Sequence, residues 1–113
     1  MTMFFFRKKP ANSITVLPHP RICPAGEVVP VAVGKSIAET LLNHDISISH
    51  SCQLQCACTT CHVYVMEGGA YVTRMNEEED RMLKNVQDRT QWSRLACQAV
   101  FEGGGDVVVE IRE

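Results

Sequence analysis

No stretch of this 113-residue chain is apolar for long enough to suggest a membrane span, and no segment has the composition of disorder. Repeats, linkers and low-complexity tracts are missing too, so the length indicates one domain with a single modest core. Clustered positive charge is scarce beyond residue 10. Three of the eleven basic residues are Arg7, Lys8 and Lys9, which leaves eight basic against thirteen acidic groups in residues 10–113. A body of that sign argues against nucleic acid as a partner, because phosphate binding needs clustered Lys and Arg. A secretory signal is not read either: Phe4 to Phe6 precede the basic run instead of following it, and three residues make too short an apolar region. Residues 1–10 therefore read as a loose N-terminal tail, with no membrane partner expected. The compartment reads as reducing and cytoplasmic. No nucleophile–base pair or phosphate loop stands out, and the Gly103 to Gly105 run lacks dinucleotide spacing and precedes a strand. The chain reads as a carrier and not as an enzyme.

What the chain does have is six cysteines, four of them between Ser51 and Val65: Cys52, Cys56, Cys58 and Cys61. In a reducing compartment such a density points to soft-metal ligands rather than to disulfides. Cys52, Cys58 and Cys61 are separated by five and two residues, and thirty-five residues pass before Cys97. Three cysteines in a short loop and one far away is an iron-sulfur arrangement. A structural zinc site would more naturally show two Cys-x2-Cys knuckles, and a redox thiol pair is the third alternative. The small residues Ala57, Thr59 and Thr60 would let backbone N–H groups turn inward onto sulfur.

The rest of the chain reads as a compact α+β domain. Ser13 to Leu17 and Glu27 to Val33 predict a hairpin, and Pro30, lacking an N–H, places the second strand at an edge or bulge. Ser36 and Glu39 have capping-box spacing for a helix reaching about Asn43, with Ile37, Leu41 and Leu42 toward the core. Ile46 to Ile48 alternates briefly. Val63 to Val65 predicts a strand, and Asn76 caps a second helix running to about Gln87. Met82, Leu83 and Val86 give that helix a narrow apolar face, and Trp92 is expected to pack beneath it. Ser93 to Cys97 is short and extended, and Val107 to Ile111 is a central strand. The order implies a mixed sheet with helices across it.

Cys52-x5-Cys58-x2-Cys61, together with Arg94-Leu95-Ala96-Cys97-Gln98, resembles the adrenodoxin-type 2Fe-2S ferredoxins. The Cys56-Ala57-Cys58-Thr59-Thr60-Cys61-His62 block, the Leu17-Pro18-His19 and Cys23-Pro24 blocks and the closing valine strand resemble most the ferredoxin of the bacterial ISC (iron-sulfur cluster assembly) system. The similarity spans residues 13–112. It implies a β-grasp ferredoxin fold over residues 11–113 and one 2Fe-2S cluster. It also implies Cys52 and Cys58 on the outer iron, and Cys61 and Cys97 on the inner one. His62 is implied as a support that ties the loop to the sheet rather than as a ligand. Cys56 is left over inside the loop, either without a role or as a thiol that handles sulfur during cluster insertion. Cys23 reads as a small buried apolar residue. His19, His44 and His50 read as ordinary.

The function implied is one-electron transfer by a monomer, from a flavin NAD(P)H-ferredoxin reductase to iron-sulfur cluster assembly, where a cysteine desulfurase and a scaffold are the partners. The alternative acceptor is a haem-thiolate monooxygenase or a dioxygenase. A zinc-bound interaction domain is the reading from another class. In such ferredoxins an acidic face on the second helix docks partners, and Glu77, Glu78 and Asp80 match that tendency. The chain departs where many relatives read Asp-Met-Leu-Asp and it reads Arg81-Met82-Leu83-Lys84. Pairs four apart (Glu77–Arg81, Asp80–Lys84, Lys84–Asp88) are expected to neutralise part of the face and to weaken steering toward a basic reductase.

Overall fold

The computed structural model describes residues 12–46, 48, 61–86 and 88–112. Alternating β-branched residues build the first strand, β1 (Ser13–Val16), which turns the side chains of Ile14 and Val16 into the core. It pairs antiparallel with β2 (Glu27–Pro30), in register Ser13 opposite Pro30, so the predicted hairpin forms. The sheet order confines β2 to an edge, which is where a proline without an N–H does least harm.

Helix α1 (Ile37–Asn43) starts in a full capping box: the Glu39 N–H donates to Ser36 Oγ at 3.0 Å, and the Ser36 N–H donates to Glu39 Oε1 at 3.1 Å. Ile37, Ala38 and Leu41 are buried, and Leu42 is half-buried against them. The helix ends on Asp45, whose φ of 64° is left-handed. The Ile46 N–H then reaches the Leu41 carbonyl at 2.9 Å and the Asp45 N–H reaches that of Leu42 at 3.2 Å. This closing motif uses the Ile46 donor, so Ile46 and Ile48 are buried without joining a strand, contrary to what their alternation suggested.

Strand β3 (His62–Glu67) is followed by a 3-10 turn (Gly69–Tyr71) and by helix α2 (Glu77–Leu83). Asn76 caps α2 through its Oδ1, which accepts the Glu79 N–H at 2.8 Å. The helix stops at Leu83 rather than near Gln87. Past that point the bonds shorten to three-residue steps (Lys84 to Arg81, Asn85 to Met82, Val86 to Leu83), a tightening that packs half-buried Val86 onto the core. Strand β4 (Ser93–Leu95) pairs antiparallel with β3, and β5 (Val107–Ile111) closes the sheet.

The five described strands run in the order β2-β1-β5-β3-β4. β5 lies in the middle, parallel to β1 and antiparallel to β3, and Val107, Val109 and Ile111 are buried. The mixed sheet and two helices match the fold read from the sequence. Before β5 the chain turns through Gly103–Gly105, where the Tyr71 ring fills the space a side chain would need. A Cβ on Gly105 would sit 2.5 Å from that ring.

Candidate functional site: a paired-cysteine centre

The site grows from the pairing of β3 with β4. His62 lies opposite Leu95, and the ladder continues one step beyond both strands, where the Ala96 N–H donates to the Cys61 carbonyl at 2.9 Å. Cys61 immediately precedes β3, and Cys97 follows β4 by two residues. Backbone pairing therefore brings two cysteines 36 positions apart in sequence to an Sγ–Sγ distance of 3.4 Å. That is far beyond the roughly 2.05 Å of a disulfide. It is near the spacing of about 3.8 Å for two thiolates on one tetrahedral metal at about 2.3 Å. Both are buried, at 1% and 7% exposure. Two sulfurs so close and so enclosed suit a soft metal ion held between them better than contact with water.

Cys52, Cys56 and Cys58 lie outside the described residues, so the structure places two of the four cysteines expected as ligands. Among the described residues no group of three or more Cys, His, Asp or Glu is assembled for a metal. One contact that the sequence did not suggest is the Gln98 side-chain amide, whose Nε2 donates to Cys97 Sγ at 3.8 Å.

His62 is buried, and its Nε2 meets Ser93 Oγ at 2.8 Å across the β3–β4 pair. The same hydroxyl oxygen accepts the Thr90 N–H at 2.9 Å. Burial, and next the Arg112 guanidinium, push the His62 pKa below its ordinary value, so the ring is neutral near pH 7. His62 thus joins two strands beside Cys61. Cys23 is buried with its pKa raised, by burial first and then by the Glu27 carboxylate, which keeps it a thiol. His19 is more than ordinary: it is buried, and its Nδ1 accepts the N–H groups of both Arg21 and Ile22 at 3.2 Å.

The segment carrying Cys97 is fastened from α2. Glu79 is 1% exposed and grips Arg94 with both oxygens, Nε to Oε2 at 2.7 Å and Nη2 to Oε1 at 3.0 Å. Its Oε2 also accepts the Leu95 N–H at 2.9 Å, covering a donor on the outer edge of β4. Arg94 Nη1 donates to the Thr73 carbonyl at 2.6 Å, and Thr73 Oγ1 donates to the Gln98 carbonyl at 3.2 Å. Glu79 reads in the sequence as one acid in a row of four. The available signal was its spacing, since it lies four before Leu83 on the apolar face.

Glu77 and Glu78 are exposed on the first turn of α2. Asp80 bonds to Arg89 instead of Lys84, because the chain returns past the helix at that point, and Arg112 reaches both Glu110 and Asp88. Among the described ion pairs none joins Glu77 to Arg81 or Lys84 to Asp88, so the expected pairing along the helix is not what forms. Trp92 is 42% exposed and lines a groove with Val65, Met66 and Met75, so it does not pack beneath α2. Its carbonyl is drawn to the Val65 N–H at 2.8 Å, and the side chain is left at the sheet's rim.

Comparison with known proteins agrees with this geometry. Residues 21–102 match the family model of the 2Fe-2S iron-sulfur cluster binding domain. A 2Fe-2S ferredoxin of Pseudomonas aeruginosa is 44% identical over 98 residues, covering 87% of each chain. The crystal structure of the ISC-like [2Fe-2S] ferredoxin (FdxB) of Pseudomonas putida superposes with a TM-score of 0.83 at 36% identity, over 89% of this chain and 92% of that one. A covalent putidaredoxin reductase–putidaredoxin complex matches at TM-score 0.71 and 29% identity, over 88% and 96% of the two chains.

The buried pair gives a stability test. Glu79→Gln keeps an acceptor for the Leu95 N–H but leaves the Arg94 guanidinium without its counter-charge, and should lower the unfolding free energy by about 3–5 kcal/mol. Glu79→Ala, which also orphans the N–H, should cost more. Urea unfolding of the two variants measures this, and stabilities equal to the parent chain would contradict it.

Proposed function

Because this chain belongs to the family of the 2Fe-2S iron-sulfur cluster binding domain, we propose that Cys52, Cys58, Cys61 and Cys97 are the ligands of its cluster. The chain is an electron carrier with one 2Fe-2S cluster. When bound, the cluster accepts and releases a single electron. The observation that carries the ligand assignment is the 3.4 Å separation of buried Cys61 and Cys97, which suits them to one iron. Cys52 and Cys58 complete the set through the spacing of the loop. The residues around the pair hold it in place: the Ala96–Cys61 bond fixes the two backbones, Glu79 and Thr73 fix the Cys97 segment, and Gln98 offers a donor to sulfur. His62 supports the pair from the sheet.

The role proposed is supply of electrons to iron-sulfur cluster assembly in the cytoplasm, with a cysteine desulfurase and its scaffold as downstream partners. Its support is the likeness to the ISC-like FdxB. A flavin NAD(P)H-ferredoxin reductase is the proposed electron source. Its support is that a structural neighbour, putidaredoxin, is known in complex with its own reductase. Among the described residues no helix is long and apolar enough to cross a membrane.

Cys61→Ser and Cys97→Ser should each abolish or strongly alter the visible absorption, with iron and sulfide counts falling from two each per chain, whereas Cys23→Ser should keep both. A normal spectrum in Cys97→Ser would refute the ligand set. Gln98→Leu, by removing the donor to Cys97 Sγ, should move the midpoint potential to more negative values in a redox titration. The assembly role predicts that the reduced protein, as the only electron source, supports cluster formation on a scaffold supplied with desulfurase and iron. Failure there, with electron transfer to a haem-thiolate monooxygenase or a dioxygenase intact, would favour the other acceptor.

A further inference from the structure

Helix α2 is the element packed directly on the strand that leads to Cys97, through the Glu79 contact with Leu95. A protein seated on its outer face therefore stands over the route to the ligand pair. The charges on that face are unlike those of the molecule as a whole. Arg81 and Lys84 point to solvent, and among the described residues neither forms an ion pair. Asp80, the last acid of the first turn and the one beside Arg81, is occupied by Arg89: Nη2 bonds its carboxylate and Nη1 its carbonyl oxygen, the latter at 3.2 Å. Arg89, with Lys84 adding to it, holds the Asp80 carboxyl below the usual carboxylate range. Past exposed Glu77 and Glu78 the face thus presents three cations, Arg81, Lys84 and Arg89, and one carboxylate, Asp80, on a chain whose net charge is −2.

Such an arrangement does little for the fold. Cations three apart on one helix repel by a few tenths of a kcal/mol. The helix C-terminus favours a cation by a similar amount, which balances the repulsion without calling for more than one. We propose that Arg81, Lys84 and Arg89 form a docking surface for an electron-transfer protein whose contact patch is rich in carboxylates. This inference rests on the electron-carrier reading with Cys97 as a ligand. It reverses the sign expected from the acidic first turn alone, because Asp80, the acid beside Arg81 and Lys84, is held by a cation of the same chain.

Horse cytochrome c and its succinylated form test this, since they share a haem but present opposite surface charge. The chemically reduced holoprotein is mixed with each in stopped flow at low salt and again at about 0.5 M salt, where such attraction is screened. Arg81→Ala/Lys84→Ala should lower the rate with succinylated cytochrome c about threefold or more at low salt. The effect should vanish at high salt, and Lys35→Ala, at an exposed cation away from α2, should change the rate little. A rate unchanged in the double variant, or a loss matched by Lys35→Ala, would show that the face does not dock and would overturn the proposal. Absence of electron transfer to either cytochrome would instead overturn the carrier reading beneath it.

Discussion

One backbone hydrogen bond, from the Ala96 N–H to the Cys61 carbonyl, sets the geometry on which the site depends. It extends the β3–β4 ladder past the ends of both strands and so fixes how far apart two distant cysteines lie. A slip of one residue in that register would turn one sulfur to the opposite face of the sheet. Much of the surrounding structure resists such a slip. Glu79 holds Arg94 and Leu95 from one side, and His62 meets Ser93 from the adjoining strand. Thr73 exchanges backbone and hydroxyl bonds with Gln98 and Val100 from a third direction. Rigid placement of such a cysteine pair matters in a carrier, because an electron moves easily only when the site rearranges little on changing charge.

Much of this was legible in the sequence, for identifiable reasons. An unbroken run of valines marked β5, Ser36 and Glu39 marked the start of α1, and cysteine spacing marked the chemistry. These signals are local, or rest on residue types with few other uses. What escaped depended on contacts between distant segments. Nothing near Glu79 announces Arg94, fifteen residues on. Asp80 has a lysine four residues away, yet the chain returns past the helix and brings Arg89 to it instead. Trp92 is large and apolar, which suggests a core position, but it sits in the turn just before the edge strand β4 and is left at a groove. Ile46 and Ile48 alternate like a strand, although the Ile46 N–H is already committed to ending α1.

The two halves of the second helix do different work. Inward, Glu79 and Leu83 bind it to β4 and to the core. Outward, the charges are free to vary without disturbing the strands, since exposed charges contribute little to stability. A fold of this kind can therefore keep its redox centre unchanged while altering which proteins approach it.

The sheet order carries one more consequence, for how the chain comes to be folded. β5 separates β1 from β3, yet it comes last in sequence among the described strands. Before Val107–Ile111 has left the ribosome, the described strands can form two pairs, β1 with β2 and β3 with β4, which residues 34–38 and 96–101 link through backbone bonds but which no shared strand joins. The centre of the sheet is thus completed only after β5 has been synthesised, and the parallel β1–β5 contact closes the whole span from Ile14 to Val107. Translation of β5 therefore sets the earliest moment at which the sheet behind the cysteine pair is complete.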